Sequence, residues 1–325
     1  MTIPFLFLGA EPPFTLIEAF QSVVQKVPKN SAMRVKRNKK WVHWTFTKYF
    51  EDVCNYAKGM IAIGATGYSS VNIVGFNSPE WFIAFYGSIF GNYLPVGIYA
   101  TNGADACKYV TEHSDAEVVV VDNKTQLNKY LKVWSQLPKL KYVLIYNEPV
   151  PADLPPERKG QVLTFNEFLE IGKKYVPKNH ESSLEYRMKQ QKPGNCCTLV
   201  YTSGTTGNPK GVMISHDNYT WTANYTLKNF GLEFGNERYV SYLPLSHVAS
   251  QVIDMVSSLL VGGEVTFAEP TALQGTLVDT LLETRPTFLF GVPRVWEKIE
   301  EKMKSVATQN SILLKTLGIF LFNIK

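Results

Sequence analysis

Hydrophobic positions along this chain change their period, and each change marks a new kind of element. In residues 14–27 a stripe of Leu16, Ile17, Phe20, Val23, Val24 and Val27 recurs every three or four positions. Thr15 and Glu18 precede it with capping-box spacing, so the segment predicts an amphipathic helix. Runs at 33–35 and 41–46 flank Asn38-Lys39-Lys40 and predict a β-hairpin. Thr47 is placed to cap a following helix that Gly64 would stop. Beyond this the period is lost. Short, almost wholly apolar runs at 71–76, 94–98, 117–121 and 141–146 alternate with helical segments after Ser78, at 105–113 and at 125–137. Strands apolar on both faces, separated by helices, predict a parallel, doubly wound sheet.

The pattern resumes past a proline-rich loop at 148–160. Thr164 and Glu167 form a second capping box for a helix to about 175. Residues 177–195 are polar and read as a linker. Further on, Asp217 is placed to cap a helix to about 230. Strands are expected at 239–243, 264–267 and 287–290, with helices at 248–260, at 273–283 and from Pro293 to about 307. A second α/β lobe therefore begins here, and no solenoid-like repeat is present.

Composition narrows the class. Of 325 residues, 45% are hydrophobic and 19% charged, which suits a large globular α/β body of one or two lobes. Net charge is +5 and is spread along the chain. The densest basic run, from Arg34 to Lys40, reads as a solvated hairpin tip in preference to a membrane or nucleic-acid patch. Cys54, Cys107, Cys196 and Cys197 show no CxxC or metal spacing, which suits a reducing compartment. Cys196 and Cys197 would face opposite sides of a strand and read as small core residues. The start lacks a basic n-region for a signal peptide. Residues 81–104 carry no charge, but Gly87, Gly91, Asn92, Pro95 and Gly97 make a buried helix, turn and strand a better reading than a membrane span.

The candidate chemistry lies in Tyr201-Thr-Ser-Gly-Thr-Thr-Gly-Asn-Pro-Lys-Gly211. Three glycines permit tight backbone geometry, and four hydroxyls can donate hydrogen bonds without adding charge. Apolar β-type runs lead in and out. Backbone N–H groups of such a loop form an anion nest, and Lys210 neutralises outer phosphates, so the stretch is built to hold polyphosphate. It is not a Walker A loop: counted from Gly204, the second glycine would fall at Pro209.

The loop resembles, over its full length, the AMP-binding signature of the adenylate-forming superfamily. Gly75-Phe-Asn-Ser-Pro-Glu-Trp81, Val96-Gly-Ile-Tyr-Ala-Thr-Asn102, Ser241-Tyr-Leu-Pro-Leu-Ser-His247 and Gly291-Val-Pro-Arg-Val-Trp-Glu-Lys298 are similar to long-chain fatty acyl-CoA synthetases, nearest the bubblegum subfamily. The resemblance implies an α/β fold: an incomplete adenylate-forming-enzyme N-terminal domain, with doubly wound sheet lobes and helices on both faces. Residues 1–65 are expected to pack on the second lobe, 66–195 to form the first lobe, and 196–325 to hold the phosphate loop and the start of the second. It also implies a reaction. A fatty carboxylate, ionised at neutral pH because its pKa is about 4.3, attacks the α-phosphate of ATP. Coenzyme A then displaces AMP.

On that resemblance Thr202, Ser203, Gly204, Thr205, Thr206, Gly207, Asn208, Pro209 and Lys210 hold ATP. Lys210, Thr206 and His247 act in catalysis, and His247 lies at the acyl or thioester tunnel. ATP, magnesium and coenzyme A are the implied cofactors and substrates, with a fatty acid as partner and no nucleic acid. No metal-ligating residue is assigned in this chain. The implied setting is cytoplasmic, with peripheral contact to the endoplasmic reticulum or another membrane left open. Arg294 either serves the site or pairs with Glu297 three residues on. Trp81 and Trp296 are expected to anchor cores, and His216 to start a helix. The family's later adenine, ribose and catalytic-lysine segments would follow Lys325, so a truncated isoform or incomplete gene product is expected. A fragment that only binds nucleotide, acyl chain or a partner, and another acid–CoA ligase, stand as alternatives.

Overall fold

The computed structural model describes residues 12–202 and 207–309. The chain divides into two compact units, Met1–Phe288 and Leu289–Lys325.

Helix α1 (Leu16–Lys26) starts where the capping box places it. Thr15 Oγ1 accepts from the Glu18 amide, and Glu18 returns a carboxylate oxygen to the Thr15 amide at 2.7 Å. Strands β1 (Ser31–Arg37) and β2 (Lys40–Thr45) form the hairpin, turning at Asn38 and Lys39 with positive φ. Helix α2 (Phe46–Ala62) is capped by Thr45 and not by Thr47. Thr47 lies inside the first turn, where its hydroxyl donates to the Pro28 carbonyl.

The core of the first unit is a seven-stranded sheet. It contains β3 (Ser70–Val74), β4 (Leu94–Ile98), β5 (Ala116–Val121), β6 (Tyr142–Ile145), β7 (Val162–Thr164), β8 (Cys196–Thr202) and β9 (Lys210–Ser215), in the order β7-β6-β5-β3-β4-β8-β9. All neighbours are parallel except β8 and β9. Every residue of β3 and β5 is buried, as continuous apolar runs in a parallel sheet require. Four further strands form the second sheet, in the order β10 (Arg238–Ser241), β11 (Glu264–Phe267), β1, β2. The N-terminal hairpin is thus part of the second sheet, with Met33 in parallel register with Val265. The strands flanking the glycine-rich loop extend the first.

Helix α3 (Pro79–Phe90) accounts for the charge-free window. Ser78 caps it, Pro79 opens it, and every residue in it is buried. Phe82 meets Phe267 of the second sheet edge-on at 4.9 Å, and Tyr86 Oη donates to the Met255 carbonyl. Trp81 is 1% exposed and anchors this core as expected. Among the described residues no helix is long and apolar enough to cross a membrane.

Four local expectations are revised. The linker 177–195 contains α7 (Leu184–Lys189), because Ser183 caps it and Leu184 is buried. Helix α8 (His216–Phe230) is capped by Ser215, with Asn218 completing the box, so Asp217 falls within the first turn. Residues 287–290 form no strand. Instead Thr287 crosses the end of β10, giving its amide to the Arg238 carbonyl and its hydroxyl to Glu237. The basic run is only partly solvated: Arg34 pairs with Glu264, Lys36 with Glu283 and Arg37 with Glu80, which leaves Lys39 and Lys40 exposed.

Candidate functional site

The glycine-rich loop is the tip of an antiparallel pair. Thr202 faces Lys210 in register, and Tyr201 faces Gly211. Ser203, Gly204, Thr205 and Thr206 lie outside the described residues. Among the rest, Thr202, Gly207, Asn208 and Lys210 are exposed and Pro209 is half-buried. Gly207 has φ of +88°, a left-handed conformation that a side chain would strain. Gly211 allows the Tyr201 ring to lie against the opposite strand: a Cβ there would stand 3.3 Å from that ring.

Both stems of the loop open into one cleft of about 520 Å³. Thr202, Pro209 and Val200 line one side, and Gly97, Ile98, Tyr99, Thr101 and Asn102 another. These residues sit at and beyond the carboxyl ends of parallel strands β4 and β8, where ligands bind in open α/β sheets. The third side is Ser246, His247 and Val248, from the segment joining β10 to the next helix.

That segment is held from two directions. Gly97 lets it approach β4, since a Cβ at 97 would fall 2.7 Å from the Ser246 Cα. Asn77, following β3, donates to Ser241 Oγ and to the Leu243 carbonyl, both at 2.8 Å. Ser241 in turn donates to Asp254 Oδ2 at 2.8 Å. Asp254 is buried in a π-helical turn, Gln251–Ser257, within the helix that begins at Val248. Burial raises its carboxyl to about 7, against the lowering effect of the Ser241 hydrogen bond.

His247 caps that helix with its side chain, Nδ1 accepting from the Ala249 amide at 3.2 Å. The neutral ring therefore carries its proton on Nε2, and that N–H is the donor available to a ligand. His216 has a different role. It is the first residue of α8 and fully buried, with Nδ1 accepting from the Leu16 amide at 3.2 Å and Nε2 facing Gln191 Oε1 at 3.1 Å. Burial lowers its pKa to about 4, so it is a neutral core hydrogen-bonding group.

Structure therefore brings Thr202, Pro209 and His247 to one cleft, with Lys210 paired beside Thr202. Sequence reasoning singled out none of Gly97, Tyr99, Thr101 or Ser246 as site residues. A glycine inside a strand pattern was the available signal for Gly97, because it marks close backbone approach. The second unit, taken by itself, contains the helix Pro293–Gln309. Arg294 and Glu297 are both exposed there and form no ion pair with each other; within this helix Lys304 pairs with Glu300. Trp296 is 47% exposed and is no core anchor, because its indole donates to the Gly291 carbonyl across the helix start and keeps the ring at the surface.

Residues 20–321 match the family described as AMP-binding enzyme. The chain is 46% identical over 315 residues to a Gallus gallus protein named long-chain-fatty-acid–CoA ligase ACSBG2, covering 96% of this chain and 40% of that one. It is 43% identical over 315 residues to Homo sapiens long-chain-fatty-acid–CoA ligase ACSBG1, covering 96% of this chain and 42% of that one. The chain thus spans about two fifths of the length of these curated relatives. Among solved structures, the anthranilate CoA ligase AuaEII in complex with anthranoyl-AMP superposes with a TM-score of 0.72 at 19% identity, over 88% of this chain and 51% of that one. The A-PCP didomain of carboxylic acid reductase from Segniliparus rugosus, in complex with AMP, gives 0.75 at 17% identity, over 95% and 47%. At such identities the likeness establishes the fold alone, an α/β architecture shared with about half the length of each of these chains.

Proposed function

The chain belongs to the AMP-binding enzyme family, and on that premise we propose that it is the nucleotide- and carboxylate-handling part of a long-chain fatty acyl-CoA synthetase. The observation that carries this reading is the convergence of the loop stems, the carboxyl ends of β4 and β8, and His247 on one cleft. The cleft and the loop stems beside it offer both kinds of surface the reaction needs. Thr202 in the cleft, with exposed Asn208 and Lys210 and the positive φ of Gly207 in the adjoining stem, suits a triphosphate. Ile98, Val110, Val200 and Val248 supply apolar wall.

A carboxylate needs no general base to attack phosphorus, so catalysis reduces to alignment and charge neutralisation. Thr202 and the loop amides would hold phosphate oxygens, and Lys210 would offset their charge as pyrophosphate departs. His247, with its Nε2–H free, would donate to an acyl or adenylate oxygen. Magnesium would supply further neutralisation of the phosphates when bound. Coenzyme A would then displace AMP to give the thioester.

The test is titration of the 325-residue chain with magnesium-ATP, followed by ATP–pyrophosphate exchange with palmitate. Saturable ATP binding that Lys210→Ala weakens by about tenfold or more supports the reading, since a lost charge-assisted contact has that scale. Wild-type chain that does not bind ATP overturns it.

A further inference from the structure

We propose that Tyr109 and His113 are positioning residues for the glycine-rich loop, latching both of its stems to one face of α4 (Ala104–His113). The two side chains stand one turn apart, stacked at 5.4 Å with 28° between their planes. Tyr109 Oη donates to the Pro209 carbonyl at 3.1 Å, which fixes the stem leading into β9. His113 Nδ1 lies 2.7 Å from Tyr201 Oη, which fixes the stem at the end of β8. The His113 and Tyr201 rings also meet edge-on at 5.7 Å.

The second bond forms with either imidazole tautomer, because the Tyr201 hydroxyl can donate to a bare Nδ1 or accept from Nδ1–H. Burial pushes that hydroxyl up to about 12, so it stays protonated across the neutral range.

The position of these contacts gives them their consequence. Tyr201 pairs with Gly211, and Pro209 immediately precedes Lys210, which pairs with Thr202. Both stems are therefore held within one residue of the Thr202–Lys210 pair. An edge strand such as β9 has one β-neighbour, so its last ladder step frays unless something else holds it. Helix α4 supplies that hold. It follows β4 directly and presents Val110 to the same cleft, so it locates the loop relative to the cleft wall. Such anchoring pre-organises the loop and lowers the ordering cost of binding a polyphosphate. This last step rests on the proposed phosphate role of the loop; the latch itself does not.

The test uses the 325-residue chain and two readouts, amide hydrogen exchange across residues 199–214 and affinity for magnesium-ATP. Tyr109→Phe removes one hydroxyl and keeps the stacked ring. His113→Ala removes the hydrogen-bonding partner of Tyr201, and His113→Asn restores an amide able to donate or accept near the Nδ1 position. We expect Tyr109→Phe and His113→Ala each to speed exchange at the loop stems about fivefold with the rest of the sheet unchanged. ATP affinity should weaken by a similar factor, and His113→Asn should recover most of both. Unchanged stem exchange in Tyr109→Phe and His113→Ala overturns the latch. Faster stem exchange with unaltered ATP affinity overturns its positioning role. Absence of ATP binding by the wild-type chain strikes the phosphate reading alone, because exchange tests the latch without nucleotide.

Discussion

The imidazole of His216 accepts the backbone N–H of Leu16 at 3.2 Å, joining the first turn of α1 to the first residue of α8 across 200 positions of sequence. The ring is fully buried, and its other nitrogen faces Gln191. Only the neutral ring can accept at Nδ1.

Acid should therefore weaken the first unit through this residue. The folded pKa of about 4 lies below the ordinary histidine value of 6.5, so the unfolded chain takes up the proton first as pH falls. The stability present above pH 6.5 should drain between about 6.5 and 4, by up to about 3 kcal/mol at 1.36 kcal/mol per unit. His216→Gln should flatten the denaturant midpoint against pH over that window; an unchanged pH slope would remove this role.

Asp254 has the opposite sign. Its folded pKa of about 7 lies above the unfolded value, so its contribution is complete below about pH 3.8 and is lost as pH rises towards 7. Asn at this position can still accept from Ser241 and carries no charge. Asp254→Asn should thus stabilise the chain at pH 8, on the order of 1–3 kcal/mol, and much less at pH 4. Urea unfolding at both pH values checks this, and equal shifts at the two would contradict it.

Gly97 sets how closely the His247 segment approaches β4. A methyl at 97 would stand 2.7 Å from the Ser246 Cα, which is backbone and cannot rotate away. Gly97→Ala should cost about 1–3 kcal/mol and push residues 244–247 outward. Cleft-binding ligands should weaken along with it. Unchanged thermal stability would show that the segment moves freely.

Lys210 is exposed and stands opposite Thr202. Its removal should leave the fold intact, because it is neither buried nor ion-paired among the described residues. In an intact enzyme that carries out adenylation, Lys210→Ala should slow pyrophosphate release about a hundredfold. Pre-steady-state measurement of that release decides it, and an unchanged rate would free Lys210 of the role.

Much of the fold is legible in the chain because the relevant forces are local. Continuous valine runs such as 118–121 can only be buried strands between helices, and Thr15–Glu18 and Thr164–Glu167 satisfy helix amides within their own first turns. Cap positions are less legible where two candidates stand close together. Thr45 and Thr47 both carry a hydroxyl, but only Thr45 has the extended backbone of a cap, because Thr47 is drawn to the Pro28 carbonyl.

The sequence by itself determined the alternation of strands and helices, the burial of α3, and a glycine- and hydroxyl-rich loop followed by Lys210. Each rests on residue type and short-range spacing. Tertiary structure alone decided that β1 and β2 join β10 and β11, that β8 and β9 edge the other sheet, and that Gly97 admits Ser246 beside β4. It also decided that Tyr109 and His113 meet the loop stems. These pairings join residues far apart in sequence, so they depend on which surfaces the whole chain can bury together, and no local pattern encodes that choice.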